Sequence, residues 1–516
     1  MMNPNRRECL AIIGGTLVGS SLLGGPIVGN PLFGWPPLAD AQPFADGEMP
    51  SDAVISLGSR KALLVDRHFI ADSVGTRLRL HPPKKTGERL IESEHPWENA
   101  TINWFSILKE GDLYRMWYEC YDVEGWPTAD DTSFCYAESH DGIHWIKPKL
   151  GLFSYHGSTQ NNILFRQVGE ATYRSRVHGS GVFIDPTAPA ESRYKCVSQG
   201  QFQGLAALPH FIAGMTSADG FHWKRNPQPI CRVFADSQYS GFWDDRTKQY
   251  VIFGRTSGRG GRAIGRACAT EFANFAPLGR VLQTDAADPP DTDLYNPACM
   301  RYPGETELYL MFPSLFRHEQ DTLEIRLAVS RDAEIWTWPD RDTPLLGLGA
   351  ANDFDSGSLY MGNGGCLRTG KEWSFYFSGS SLKHREVELE TLADPSRRRV
   401  ISRAVARPDR LVSISASDEG GRFTTPPIET HGTQLRLNAL TAADGGIRVA
   451  ILDLQGKSLE HYELGNCERV RGDHEEGVVT WGQSRQSLAR FEQPFRLQFE
   501  LRKADLFSFQ FVEVPL

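Results

Sequence analysis

Beyond its first thirty residues the chain has no apolar run long enough to span a bilayer, so no later transmembrane helix is expected. Cysteine is sparse: 9 in 516 residues, scattered singly, with no CxxC pair. That dilution excludes a small disulfide scaffold and argues against a zinc site. Cys135, Cys196 and Cys366 fall in strand-like runs and read as buried hydrophobes, with one or two disulfides left open. Positive charge is in deficit, 55 Lys and Arg against 64 Asp and Glu for a net −9. No basic field is present to hold nucleic acid, and "SRRRV" (Ser396–Val400) reads as a solvated loop face. A long amphipathic helical pattern is also missing.

What is present begins with a leader. "NPNRRECLAIIGGTLVGSSLLGG" couples an Arg pair to an uncharged, glycine-rich apolar run and is similar to a twin-arginine export signal. Ala39-Asp40-Ala41 is a small-x-small cut site, so residues 1–41 are expected to be the signal and cleavage region. The mature chain would then be periplasmic or extracellular. The alternative is an uncleaved anchor over Ala11–Gly29.

From about Ala62 onward strand-like runs dominate, and one heptad recurs: "SHDGIHW" at Ser139–Trp145, "SADGFHW" at Ser217–Trp223 and, more loosely, "SRDAEIW" at Ser330–Trp336. Each follows a strand-like run. Asp-Gly tolerates the positive φ of tight turns, and the Trp begins the next strand with a large apolar face. Hairpins repeating at this period predict propeller blades. Five can be grouped, opening at "ATINWFSIL", "SGVFID", "SGFWDD", "NPACMRY" and "GSLYMGNGGCLR", the last ending in "SRAVARP" and "LVSISA". The expected fold is therefore all-β: a five-bladed β-propeller over 62–420, with Ala62–Pro83 packing at the closure, and a C-terminal β-sandwich over 421–516. The sandwich rests on period-two runs such as "QLRLNAL" and "FRLQFELR".

In a propeller the leading ends of the inner strands face one shared pocket. Glu98, His178, Asp236, Asp293 and Asp355 sit just before or at those strands, at similar distances ahead of Tyr114, Tyr194, Tyr250, Tyr309 and Phe375. Four carboxylates and an imidazole are thus expected to converge. Clustered carboxylates raise one another's pKa, which lets one carry a proton while another stays ionised. Glycosidic bond cleavage needs that division. Trp97, Trp104, Tyr239 and Tyr295 could stack on sugar faces, and Asn99, Arg176 and Asn296 could bond hydroxyls, alongside His178 and Asp355. The competing reading is that an Asp before a strand bonds its own turn. "GRTSGRGGRAIG" (Gly254–Gly265) lacks the strand-to-helix context of a phosphate loop and reads as a hairpin, with Arg259 or Arg262 near an anionic sugar.

Five blades carrying "YAESHDGIHWIKP", followed by a sandwich ending "LFSFQF", resemble glycoside hydrolase families 32 and 43 and their secreted bacterial relatives. The resemblance implies a glycosidase with an acid at the first inner strand and further acids on later blades. By position, Glu98 takes the first slot, and Asp236 and Asp293 are candidates for the others. Glu119-Cys120 matches the family 32 Glu-Cys pair in letters only and, at the end of a blade-one strand, receives no role.

The expected protein is an exported glycoside hydrolase with a carbohydrate substrate, no nucleic-acid partner and no membrane domain beyond the leader. Glu98, Asp236 and Asp293 would act on the bond. No cofactor or catalytic metal is called for, although channel carboxylates leave room for a structural calcium. The alternatives are a propeller that binds glycans without turnover and a structural, protein-binding propeller.

Overall fold

A computed structural model of the protein describes residues 53–514 apart from 125–131, 167–176, 203–204, 206–209, 235, 237, 260, 305–306, 387–397, 483–490 and 492. The leader and Arg176 lie outside the described residues. Strands dominate, relieved by single 3-10 turns such as Pro96–Glu98. Among the described residues no helix is long and apolar enough to cross a membrane.

The fold is a five-bladed β-propeller with a β-sandwich after it. Blade one is built from Thr101–Glu110, Leu113–Tyr121 and Ser133–Ser139, with Ile163–Phe165 outside. Blade two follows with Gly181–Ile184, Tyr194–Gly200, Phe211–Ser217 and Trp223–Arg225. Blade three has Ser240–Asp244, Gln249–Gly258, Gly261–Ala269 and Gly279–Leu282, so "GRTSGRGGRAIG" is a hairpin.

Blade four has Cys299–Arg301, Tyr309–Met311 and Ala328–Ser330, and carries an upper storey of Thr292–Leu294, Ser314–Arg317 and Thr322–Ile325. Blade five has Ser358–Thr369, Glu372–Ser380 and Val400–Ala406. Its inner strand pairs in parallel with blade one at Asn363 and Ser106, which closes the ring.

Two placements differ from the sequence reading. "LVSISA" is not the outer strand of blade five: Val412–Ala416 pairs with Thr76–Leu80 and with Arg496–Val512 in the sandwich. Lys84–Lys85 takes the outer position instead, paired to Ala404 and Val405. The Ala62–Pro83 segment likewise supplies sandwich strands rather than closing the ring. The sandwich thus draws strands from both ends of the chain around Leu437, Val449, Phe499 and Phe509, all fully buried. Each such side chain contributes roughly 1.5–3 kcal/mol on burial.

The repeated heptad builds a self-contained turn. Ser139 Oγ donates to Asp141 Oδ1 at 2.9 Å, and the same oxygen accepts the backbone N–H of Ile143 and His144 at 2.8 Å. Ser217-Ala218-Asp219 and Ser330-Arg331-Asp332 repeat the pattern. The glycine takes the left-handed φ the turn demands, 74° at Gly142 and 79° at Gly220, with Ala333 at 64° in the loose copy. Its carbonyl then receives the preceding blade: Tyr376 Oη donates to Gly142 O at 2.8 Å, and Trp117 Nε1 to Gly220 O at 2.7 Å. At the same end of the blades, where Tyr194 stands opposite Ser217 and Tyr309 opposite Ser330, second-strand tyrosines clasp the acid closing the previous inner strand. Tyr250 donates to Asp185, Tyr194 to Glu110, and Tyr309 to Asp244 at 2.8 Å. These aromatics are the ones that set the phase in the sequence.

Candidate active site at the channel mouth

Short polar side chains close the channel across its axis. Ser106 Oγ donates to Ser180 O at 3.1 Å, and Asn363 Nδ2 to the same carbonyl at 3.0 Å. Ser240 Oγ donates to Asn363 Oδ1 at 2.7 Å and accepts Cys299 N–H at 2.8 Å. Five inner strands are tied by these bonds, all of them buried. Asn296 adds a layer, donating to Gln238 Oε1 at 2.8 Å. Its expected role as a hydroxyl ligand gives way to this structural one on its Nδ2 side. Its Oδ1 has no partner among the described residues.

Above that floor stands an aromatic wall. Trp104 meets Tyr360 edge-on at 4.6 Å and lies near-parallel to Tyr295 at 6.3 Å. Trp104 and Tyr360 are each 4% exposed. Arg255 and Arg262 lie over the Tyr295 ring at 4.4 and 5.0 Å, and Arg399 over Tyr360 at 4.6 Å. His384 Nε2 is 2.8 Å from Tyr295 Oη. Burial and the surrounding arginines press the His384 pKa down to about 3, so its ring is neutral at ordinary pH.

Two of the expected acids join this group. Asp236, its side chain 32% exposed, accepts Arg255 Nη1 at 2.5 Å. Asp293, fully buried, accepts the backbone N–H and Nη1 of Arg262 at 3.0 Å, and His318 Nε2 lies 3.2 Å from the same oxygen. Its other oxygen has no partner among the described residues. The upper storey of blade four is what lifts Asp293, Phe316 and His318 to this level.

His178 stands on the blade-two side, 6.5 Å from Trp104. Its Nδ1 is 3.2 Å from Tyr121 Oη and 3.4 Å from Glu119 Oε2, while Glu119 Oε1 accepts the N–H and Oγ of Ser180 at 2.8 and 2.9 Å. Glu119, given no role from the sequence, is therefore a buried carboxylate beside the site. Period-two alternation was the available signal, since it turns Glu119 to the opposite face from Tyr118 and Cys120.

The other expected residues lie elsewhere. Glu98 is fully buried within blade one, accepting Tyr118 Oη at 2.6 Å, Lys147 Nζ at 2.8 Å and the N–H of Glu94 at 3.0 Å. That set of donors holds it on the second strand and the segment after the heptad, away from Asp236 and Asp293. Trp97 donates to Asn162 Oδ1 at 3.0 Å and stacks on His95, and Asn99 accepts Val123 N–H at 2.8 Å. Both are scaffolding. Asp355 is held by Lys85 Nζ at 2.5 Å beside the outer strand of blade five. Tyr239 is buried between blades two and three, at 1% exposure, with no face open to a sugar. The convergence of five predicted positions thus becomes three: His178, Asp236 and Asp293. Among the described residues no group of three or more His, Cys, Asp or Glu is placed to hold a metal ion.

No family model matches the chain, and no curated protein matches it. Solved structures that match include a glycosyl hydrolase from Bacteroides ovatus, at 11% identity over 66% of this chain and 95% of that chain, TM-score 0.43. A thermostable family-43 glycoside hydrolase matches at 13% identity over 64% and 96%, TM-score 0.40. An N-acetylgalactosamine deacetylase from F. plautii, in complex with blood group B trisaccharide, matches at 12% identity over 65% and 96%, TM-score 0.42.

Proposed function

We propose that the chain is an exported glycoside hydrolase whose chemistry takes place between Asp236 and Asp293 at the channel mouth. The observation that carries this reading is the gathering of two carboxylates around one aromatic wall by residues of different blades. Trp104, Tyr295 and Tyr360 offer the apolar lining against which a sugar ring packs, and the polar groups beside them suit hydroxyls.

Glycoside cleavage needs a proton for the leaving oxygen and negative charge near the developing oxocarbenium. Asp236, ionised beside Arg255 in the free site, suits the proton-donating role once a bound sugar engages that arginine, because it is part-exposed and then takes up a proton from solvent before each turnover. Asp293 suits the charge-stabilising role, because burial and the Arg262 clamp fix its position. Sugar release by the purified chain from a panel of furanosides, pyranosides and polysaccharides tests the reading. Asp236→Asn and Asp293→Asn are each expected to lower turnover by about 10²-fold or more on unactivated substrates. On a nitrophenyl glycoside, whose leaving group needs no proton, Asp236→Asn should recover most of its activity and Asp293→Asn should not.

A second reading is favoured by one feature: each carboxylate already has an arginine partner, as befits a site that grips hydroxyls without turnover. Clear binding of a glycan with no release on any substrate would establish it.

A further inference from the structure

Arg399 differs from the other two arginines of the mouth. Arg255 has Asp236 and Arg262 has Asp293, so both pairs are neutral overall. Arg399 has no carboxylate partner among the described residues. It is 4% exposed and lies over the Tyr360 ring, yet its Nε and Nη1 have no hydrogen-bond partner among the described residues. His384, which lies against Tyr295, is neutral at ordinary pH. Among the described residues Arg399 is therefore a desolvated positive charge with no carboxylate in contact with it.

An unpaired buried charge is strongly disfavoured, and an orphaned buried N–H adds to that. The cost is offset when an anion arrives, since a guanidinium offers two parallel N–H donors to a planar carboxylate or to two oxygens of a sulfate. Arg399 has two donors unpaired, Nε and Nη1, and a two-pronged grip on an anion uses one of them together with Nη2. Lysine in the same place would present a point charge without the fork. The aromatic faces beside it suit a sugar ring carrying that anion.

We infer that the channel mouth takes a glycan bearing an oxyanion, either a uronic-acid carboxylate or a sulfate ester, bound by Arg399 with Arg255 and Arg262 flanking it. This rests on the glycan reading above and names the substrate class within it.

Calorimetric titration of the full chain tests it. The probes are oligogalacturonides, glucuronoxylan and alginate oligosaccharides with their carboxyl-reduced copies, and sulfated galactan oligosaccharides with their desulfated copies. At least one acidic glycan is expected to bind about tenfold or more tightly than its neutral copy, and the arm in which this occurs identifies carboxylate or sulfate. Arg399→Gln should reduce that preference to about threefold or less, with Arg399→Lys intermediate. A neutral copy binding as tightly as its acidic parent overturns the inference and leaves the glycan reading standing. If no glycan of either kind binds, both fall. Because the acidic and neutral copies are compared on the unmodified chain, the result stands even if Arg399→Gln fails to fold.

Discussion

Lys85 Nζ lies 2.5 Å from Asp355 Oδ2, joining positions 270 residues apart across blade five. Lys85 belongs to the strand that replaces "LVSISA" at the edge of the blade, so the pair fastens the start of the ring to its end. The Asp355 side chain is 5% exposed, and removing the lysine leaves a buried carboxylate without its cation. Lys85→Met is expected to lower stability by about 3–5 kcal/mol, and adding Asp355→Leu should restore much of it. Urea unfolding of the single and double variants checks this, with turnover per folded molecule unchanged in both.

Glu98 and Asp236 should separate cleanly. Glu98→Gln strips charge from a group facing Lys147, whose side chain is 6% exposed, and is expected to lower stability by about 2–4 kcal/mol. Its kcat should stay within about twofold of the parent, whereas Asp236→Asn, which leaves Arg255 without its carboxylate, should lose turnover per folded molecule in addition to some stability. Paired melting and activity measurements distinguish them.

Gly142 is expected to resist substitution. Its φ is 74°, and a Cβ there would lie 2.5 Å from Tyr376 Oη, the group that donates to its own carbonyl. Gly142→Ala should therefore combine backbone strain with a clash at the blade-five contact, for a loss of about 1–3 kcal/mol by denaturant titration.

Acid should weaken the fold through its histidines. The folded pKa of His384 is about 3, below the unfolded value of 6.5, so unfolding takes up a proton between those limits. The stability this contributes is complete above pH 6.5 and is lost as pH falls through the window. His68 and His81, both lowered chiefly by burial, act in the same direction. The dependence of unfolding free energy on pH between about 4 and 6.5 should be shallower by about one proton in His384→Gln.

The thiols should be silent in the native protein. Cys120 and Cys135 sit 3.5 Å apart, sulfur to sulfur, on neighbouring strands of blade one, and burial pushes the Cys120 pKa up. Among the eight described cysteines only Cys268 is not buried. A thiol reagent should label Cys268 alone of these before denaturation, and Cys268→Ser should abolish that signal.

Much of the ring was legible because its signals are local. The Ser-x-Asp-Gly turn satisfies itself within a few residues, so its sequence suffices to place it at Ser139, Ser217 and, with Ala333 for the glycine, Ser330. The tyrosines at 194, 250 and 309 open their strands whatever lies around them. The acids were legible only as a set of candidates. Asp236 and Asp293 share their strand-end positions with Glu98 and Asp355, yet the last two are drawn aside by Lys147 and Lys85. Neither lysine is near its acid in sequence, and Glu119 went unused for a matching reason: His178 and Ser180 reach it from the next blade.

Period-two patterning, turn chemistry and apolar content determined by themselves that the chain folds as a propeller with a sandwich, since those signals act over a few residues and repeat. Tertiary structure decided which acids face the channel, that the edge of blade five is filled from the N-terminal side, and that Arg399 lies beside an aromatic wall without a carboxylate among the described residues. Each of those outcomes depends on ion pairs and burial between segments tens to hundreds of residues apart, where charge and desolvation, not local propensity, set the lowest free energy.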